Sequence, residues 1–217
     1  MTRSRMTALM ALVSALAVTT PSSAVDFDFS GNFAADNDVL LFSFTVAAPS
    51  AVTLFSSSWL QGNPPAGFDP MLGVWNATTG ALINFQDDGH NVGSTLSNGV
   101  AYSHGTWDSY FGVNLGAGTY YASITQFSNF YNNAANLADG FQYDGNPNFT
   151  FDLGFGGATQ PMFNGVWDGS DPRTSHWEFH ILNVAQAEVV PEVPEPGTLI
   201  LLGSGLAGLA LRRSRRV

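Results

Sequence analysis

The chain has no cysteine, no lysine and few basic residues of any kind. Its 217 residues contain seven arginines against seventeen aspartates and glutamates. Six of the arginines lie near the two ends, which leaves Arg173 alone in the intervening chain. Without cysteine, the fold cannot depend on disulfide bonds. Such an acidic surface repels nucleic acid and anionic lipid and attracts cations, so we predict no nucleic-acid partner.

The chain between its two ends also lacks an amphipathic helical pattern. Its apolar residues instead repeat with a period of two, which predicts strands. Six of these strands are predicted to pair as hairpins: 39–46 with 51–55, 71–75 with 81–85, and 110–115 with 119–127. Residues 149–155 and 177–184 are predicted as further strands. Short strands with Gly- and Pro-rich turns indicate an all-β fold, a jelly-roll-type β-sandwich.

The N-terminal segment has the pattern of a secretory signal peptide. Arg3 and Arg5 precede an apolar stretch over 6–18, and small residues follow up to Ala24. The apolar stretch is too short to span a membrane. We therefore predict export, with cleavage by signal peptidase after Ala24.

The C-terminal segment combines a proline-rich motif, an apolar run and a basic end. The run over 198–211 has 14 residues, about 21 Å as a helix, whereas the hydrocarbon core of a bilayer is about 30 Å thick. The arginines after it are expected to stay on the cytoplasmic side, which places the preceding chain across the membrane. We interpret the segment as a short transmembrane helix that holds the chain for processing; an ordinary C-terminal anchor is the alternative.

This segment resembles the PEP-CTERM sorting tail of Gram-negative bacteria that produce extracellular polysaccharide. The residues that carry the resemblance are Val193, Pro194, Glu195, Pro196, Arg212, Arg213, Arg215 and Arg216. The resemblance implies that an exosortase, a membrane transpeptidase, cuts near Pro194 and passes the protein to the cell surface or extracellular matrix. It also implies that the protein meets the membrane only through the sorting helix.

These features divide the chain into four predicted parts. They are a signal peptide (1–24), a β-sandwich ectodomain (25–185), a linker (186–192) and the sorting tail (193–217). The ectodomain is long enough for one domain with a substantial core.

The ectodomain is similar to a second family, the bacterial pre-peptidase C-terminal domain. Residues 36–38, 68–72 with 87–89, and 115–121 carry the likeness. That family is a β-sandwich appended to secreted proteases and often binds calcium, so the resemblance implies the same fold here and a calcium site.

Aspartates at strand ends are the candidate calcium ligands. Calcium binds six to eight oxygens, several of them from carboxylates in flexible loops. We predict Asp69, Asp87 and Asp88 as ligands, with Asp36 and Asp38 as further candidates. The alternative is that these aspartates only hydrogen-bond their own turns.

Catalytic patterns are weak in this sequence. His176, Glu178 and His180 share one strand face, but the two histidines are roughly 13 Å apart and cannot bind one zinc ion, so we predict a solvated strand face. His90 and His104 lie in a predicted loop, and we interpret them as surface residues. There is no Gly-x-Ser-x-Gly motif, and no serine can be tied to a histidine and an acid from sequence alone. We predict that the protein is not an enzyme, with glycoside hydrolysis by paired carboxylates left open.

Residues 126–149 form a long segment in which asparagines alternate with aromatic residues. Amide groups and exposed aromatic faces suit sugar recognition, so Phe130, Tyr131 and Tyr143 are candidate glycan-binding residues. A packed loop with its aromatic rings turned inward is the alternative.

Together these observations predict an exported, non-enzymatic protein of the surface or extracellular matrix of a Gram-negative bacterium. We expect it to be sorted by an exosortase, to associate with extracellular polysaccharide or biofilm, and to be stabilised by calcium. The alternative is a secreted, calcium-dependent carbohydrate-binding or accessory module of a hydrolytic system.

Overall fold

The structure is a computed structural model that describes residues 23–59, 67–89, 92–132, 135–154, 163 and 173–191. The first 22 residues of the predicted signal peptide, residue 192 of the predicted linker and the whole predicted sorting tail (193–217) lie outside the described residues. Eleven strands run through the described chain: β1 Val25–Asn32, β2 Leu40–Val46, β3 Ser50–Ser56, β4 Pro70–Asn76, β5 Leu82–Gln86, β6 Gly93–Ser97, β7 Val100–His104, β8 Tyr110–Leu115, β9 Gly118–Gln126, β10 His176–Val184 and β11 Gln186–Val189. A 3-10 turn, Leu137–Asp139, and one short helix, α1 Phe149–Asp152, complete the regular structure there.

The strands form two packed sheets and a separate two-stranded ribbon. One sheet has the order β1-β10-β3-β8, and the other has the order β11-β2-β9-β4-β5. The ribbon consists of β6 and β7. Apart from the neighbouring pair β4 and β5 and the ribbon, successive strands alternate between the two sheets, and β1 lies beside β10, which is the jelly-roll arrangement. The predicted jelly-roll-type β-sandwich is thus confirmed.

Alternating residues of both sheets fill the space between them with aromatic side chains. Phe42 of β2 is fully buried, and its ring centroid lies 4.8 Å from those of Phe29 and Phe179 and 5.9 Å from that of Trp177. These partners come from β1 and β10 of the opposite sheet. The period of two therefore reflects real burial: on β2, the residues at 42, 44 and 46 are buried and those between them are only partly buried.

One of the three predicted hairpins is correct. β4 pairs with β5, and their turn is stabilised by the Asn76 side chain, whose Oδ1 accepts hydrogen bonds from the backbone N–H groups of Thr78 and Thr79 at 2.9 Å. Gly80 closes this turn at a φ of 72°, a conformation that glycine adopts without steric cost.

The other two predicted hairpins are wrong. β2 and β3 lie in different sheets, as do β8 and β9. Each pair is joined by a short loop that crosses from one sheet to the other, so its strands face each other across the core and do not exchange backbone hydrogen bonds. A local pattern of alternation cannot distinguish these two connections, because both place apolar residues on one face.

The strand predicted over 149–155 is also wrong for the part that the structure describes. Residues 149–152 form α1, in which Phe149 and Thr150 are both buried while the next two residues are exposed. The Leu153 N–H donates to the Phe149 carbonyl oxygen at 2.9 Å, an i to i−4 bond that belongs to a helix and not to a strand.

The sandwich extends into the segment predicted as a linker. β11 pairs with β2 from Gln186 opposite Thr45 to Val189 opposite Phe42. Beyond it, the Val190 N–H donates to the Leu41 carbonyl oxygen at 2.8 Å. The backbone is thus bonded to the folded domain up to residue 190.

Candidate functional site

Three carboxylates meet at one end of the five-stranded sheet, β11-β2-β9-β4-β5. One oxygen from each of Asp69, Asp87 and Asp88 lies within 4.8 Å of the others. Asp69 precedes β4 and is buried, whereas Asp87 and Asp88 follow β5 and are partly buried. Because β4 and β5 are antiparallel, with Leu72 opposite Gln86, the start of one strand and the end of the other share this end. The structure therefore brings together the three aspartates that the sequence analysis placed first.

Backbone carbonyl oxygens crowd the same place. The buried Ser109 hydroxyl lies 2.7 Å from the carbonyl oxygen of Pro70, 3.0 Å from that of Gln86, and close to that of Asp87. One hydroxyl proton serves only one of these acceptors at a time. The end of the sheet thus presents carboxylate and carbonyl oxygens together, which is the donor chemistry that calcium prefers.

The turn that carries Asp87 and Asp88 is held against β8 by the next residue. The Gly89 N–H donates to the Asp108 carbonyl oxygen at 2.9 Å. A Cβ atom at Gly89 would lie 2.6 Å from that oxygen and 2.7 Å from the Tyr110 nitrogen. Only glycine permits so close an approach, so residue 89 positions the two carboxylates.

Asp36 and Asp38 are not part of this cluster. Asp36 is fully buried and accepts a hydrogen bond from the Thr150 hydroxyl. Asp38 Oδ2 accepts from the backbone N–H groups of Ala34 at 2.6 Å and Ala35 at 3.0 Å. Asp38 thus has the turn-forming role named as the alternative, whereas Asp36 links the loop between β1 and β2 to α1.

A network of hydrogen-bonded polar side chains lies on the outer face of the four-stranded sheet, β1-β10-β3-β8. His180 Nδ1 is 2.7 Å from Asp28 Oδ1, and His180 Nε2 is 2.9 Å from the Ser57 hydroxyl oxygen. The same hydroxyl donates to Glu178 Oε2 at 2.8 Å, and Glu178 Oε1 is 3.2 Å from His176 Nε2. His176, Glu178 and His180 share one face as predicted. Sequence reasoning missed Asp28 and Ser57, which are 152 and 123 positions away from His180.

The prediction that this strand face is solvated is wrong at His180. The residue is only 1% exposed, because the ribbon covers it: the ring centroid of Tyr102 lies 4.1 Å from that of His180. On the sheet itself, the Phe55 ring stacks on the imidazole at 4.3 Å. His104 of β7, interpreted from sequence as a surface residue, is also buried.

The connectivity Asp28–His180–Ser57 matches the hydrogen bonds of a serine hydrolase triad, but its setting differs. Ser57 is fully buried, and its hydroxyl also bonds to a second carboxylate. A cavity of about 120 Å³ beside the network is lined by Asp28, Tyr102, Glu178 and His180, among others, and not by Ser57. A nucleophile must reach its substrate. The network instead ties β1, β3 and β10 together beneath the ribbon.

We predict that this network makes the fold sensitive to mild acid. Burial lowers the pKa of His180, although Asp28 and Glu178 pull it upward; Tyr102 and His104 also face the ring. The folded state then binds the proton less readily than the unfolded state. Stability is present above the unfolded pKa of about 6.5 and is lost as the pH falls below it, by up to about 1.4 kcal/mol per pH unit.

Thermal unfolding between pH 7 and pH 5.5 measures this effect. The pKa of Asp28 is lowered; its burial acts in the opposite direction, but hydrogen bonds from Ser97, His180 and Asn98 outweigh it. Stability from Asp28 is therefore lost only at much lower pH. His180→Asn should flatten the pH dependence. An unchanged slope in His180→Asn would contradict the assignment.

The candidate glycan-binding residues lie in the segment after β9 and are half-buried. The Tyr131 ring packs edge-on against Phe85 at 5.1 Å, the Phe130 ring lies 5.8 Å from Phe85, and Tyr143 stacks on Phe149 at 4.2 Å. These contacts are those of a packed loop. Glycan binding by these three residues stays a prediction.

The end of the sheet that carries the acidic cluster is also the end from which the C-terminal segment leaves. Val189 lies level with Phe42, Ala122 and Val74 across neighbouring strands. From that level the chain runs toward Leu41, which is the direction of Pro70 on β4 and of Gln86 on β5. Residue 192 follows two positions after Val190, whose N–H is hydrogen-bonded to Leu41.

Residues 192–216 match the PEP-CTERM protein-sorting motif. The motif implies an exported protein that an exosortase processes. The match begins one residue before Val193 and includes Pro194, Glu195, Pro196 and the arginines at 212, 213, 215 and 216. The PEP-CTERM motif thus starts where the described part of the sandwich ends. The residues of the motif lie outside the described part of the chain. His90, interpreted from sequence as a surface residue, also lies outside it.

The remaining comparisons add little about the ectodomain. No curated protein matches the chain. The similarity to the pre-peptidase C-terminal domain stays a prediction, compatible with the β-sandwich. Among the described residues, no helix has the length and apolar character needed to cross a membrane. Ala24, the predicted signal-peptide cleavage position, directly precedes β1.

Proposed function

We propose that this protein is a non-enzymatic component of the cell surface or extracellular matrix of a Gram-negative bacterium, delivered by exosortase sorting. The observation that carries the proposal is the matched sorting motif at 192–216, directly after a strand that belongs to the folded domain. One arginine among many carboxylates in the ectodomain disfavours nucleic acid and anionic lipid as partners. Extracellular polysaccharide, as in a biofilm matrix, is the partner that we propose for the sorted domain.

We further propose that calcium stabilises the ectodomain at Asp69, Asp87 and Asp88. The support is the convergence of three carboxylates and several carbonyl oxygens at one end of the sheet. Carboxylates within a few Å of each other repel, and a divalent cation removes that repulsion. The same end carries the exit of the sorting segment, so a bound ion would also reduce negative charge on the side that faces the membrane during processing.

A calcium-dependent carbohydrate-binding or accessory module is the second candidate, favoured by one further observation. Trp59 and Trp107 lie side by side with ring centroids 6.2 Å apart, and the Arg173 guanidinium covers Trp59 at 3.3 Å. The Asp108 carboxylate accepts a hydrogen bond from the backbone N–H of Trp59 at 3.1 Å. The backbone carbonyl oxygen of Asp108 accepts from the Gly89 N–H. Trp59 is buried beneath Arg173, so the partly buried Trp107 is the indole that we propose for stacking on a sugar. Binding and hydrolysis assays on polysaccharide panels distinguish this candidate from the first.

The sorting proposal is tested by replacing Pro194, Glu195 and Pro196 with alanine in the native host. The wild-type protein should be released with a mass that lacks Leu211 and the arginines. The triple variant should stay in the cell envelope with the tail intact, because the exosortase no longer recognises it. Pro191→Ala, just outside the matched motif, is the matched control and should be processed normally. Release of the triple variant at the wild-type rate, or a mature wild-type protein that retains Leu211, would refute the proposal.

A further inference from the structure

The folded domain leaves a very short tether before the sorting motif. Among the described residues, the last backbone hydrogen bond to the sandwich joins the Val190 N–H to the Leu41 carbonyl oxygen. Only residues 191–193 separate this bond from Pro194, which is about 10 Å of fully extended chain. A transpeptidase must hold extended chain on both sides of the bond that it cuts.

The sandwich is too wide to follow the chain into a catalytic cleft. Its second sheet has five strands, and neighbouring strands are about 4.8 Å apart, so the sheet alone is about 20 Å across. A tether of about 10 Å therefore keeps the whole domain at the mouth of the enzyme. Either the enzyme works within that distance or the domain yields more chain.

β11 is suited to yield that chain. Among the strands that the structure describes, it lies at the edge of its sheet and pairs only with β2. Gln186, Glu188 and Val189 are exposed, and only Ala187 packs against the core. Few buried contacts and an exposed backbone ladder are the features of segments that open locally at low free-energy cost. β10, which precedes β11, is an interior strand with five buried residues of nine. Opening would therefore stop at the bend between the two strands.

We propose that β11 is a releasable strand that peels away from β2 so that the exosortase can engage the sorting motif. Release lengthens the free segment from 191–193 to 186–193, from about 10 Å to about 26 Å of extended chain. The strength of β11 pairing thereby sets the rate of sorting. This inference rests on the proposed sorting by an exosortase.

The test is to lock β11 to β2 with a disulfide. The chain has no cysteine of its own, so an introduced pair has no competing partner. Ser43 lies opposite Glu188, and Thr45 lies opposite Gln186. Facing residues of antiparallel strands have Cα atoms about 4.5–5.5 Å apart, within the range that a disulfide spans. The double variants S43C/E188C and T45C/Q186C provide two independent locks, which are expected to oxidise on export.

The expected result is a block of processing that depends on the disulfide. Each locked variant should accumulate as a folded precursor that retains its tail. Its cleavage should be slowed at least about tenfold, which corresponds to an added free-energy cost of about 1.4 kcal/mol for releasing β11. A thiol reductant added to the envelope fraction should restore cleavage. Inserting about ten Gly and Ser residues after Pro191 should also restore it with the lock intact, because the linker supplies the missing reach.

Matched controls separate release of β11 from general rigidity. The single cysteine variants should be processed at the wild-type rate. So should T45C/T119C, which joins β2 to β9 at facing positions and leaves β11 free. Wild-type cleavage rates in both oxidised locks, verified by non-reducing electrophoresis, would overturn the inference. Failure of the wild-type protein itself to be cut would instead overturn the proposed function.

Discussion

Saturating calcium is expected to raise the thermal unfolding midpoint of the ectodomain by about 5–10 °C. A ligand at about one hundred times its dissociation constant stabilises the folded state by about 2.7 kcal/mol. For a domain of this size, each kcal/mol shifts the midpoint by about 2–4 °C. The physical reason is the convergence of Asp69, Asp87 and Asp88, whose mutual repulsion the ion removes. Scanning calorimetry with calcium and then with excess chelator measures the shift.

Replacing one of the three aspartates should lower the stability of the protein in calcium but not in its absence. Asp87→Asn removes one of the clustered charges, so the ion-free variant should be at least as stable as the ion-free wild type. With calcium, the variant should gain much less than the wild type. Asp139→Asn changes an exposed acid in the 3-10 turn and should respond to calcium as the wild type does. Equal midpoints for the wild-type protein in calcium and in chelator would rule out the calcium site.

Phe42→Ala is expected to destabilise the ectodomain by about 3–5 kcal/mol, a large part of the unfolding free energy of about 5–15 kcal/mol that is typical of native proteins. The ring is fully buried between Phe29, Phe179 and Trp177 of the opposite sheet. Its removal leaves a cavity at the centre of the sandwich, because the surrounding rings cannot close over it. Denaturant unfolding followed by tryptophan fluorescence measures the loss.

Leu96→Ala is the matched control for this core substitution. Leu96 lies on the outer face of the β6–β7 ribbon and is 66% exposed, so its replacement should change the free energy of unfolding by less than about 0.5 kcal/mol. A comparable loss in both variants would show that the ribbon face is covered in solution, contrary to the packing described above.

Much of the strand content was predictable because alternation is a local signal. The buried positions of β2 and β4 follow directly from their apolar residues. β1 was missed although Phe27 and Phe29 alternate with Asp26 and Asp28. The ribbon strands were missed for a different reason: their exposed faces carry Leu96 and Ala101, so apolar residues do not mark the buried side.

The acidic cluster was predictable because its members flank two strands joined by a recognisable hairpin. Once β4 and β5 pair, residues before the first and after the second must share one end of the sheet. The same reasoning could not predict the contacts of His180 with Asp28 and Ser57, because these residues come from segments far apart in the chain. Nor does it separate Asp36 from the cluster, because the turn that buries that carboxylate depends on Thr150, far along the chain.

The order of the residues alone is enough to identify the PEP-CTERM sorting motif, because that motif is one contiguous segment defined by its prolines, its apolar run and its terminal arginines. It also determined that the domain is built of strands. Only the tertiary structure decided which strands share a sheet, which carboxylates meet and how far the domain reaches toward the sorting motif. Those outcomes depend on hydrogen bonds between strand edges and on burial between two sheets, and both join residues that lie far apart in the chain.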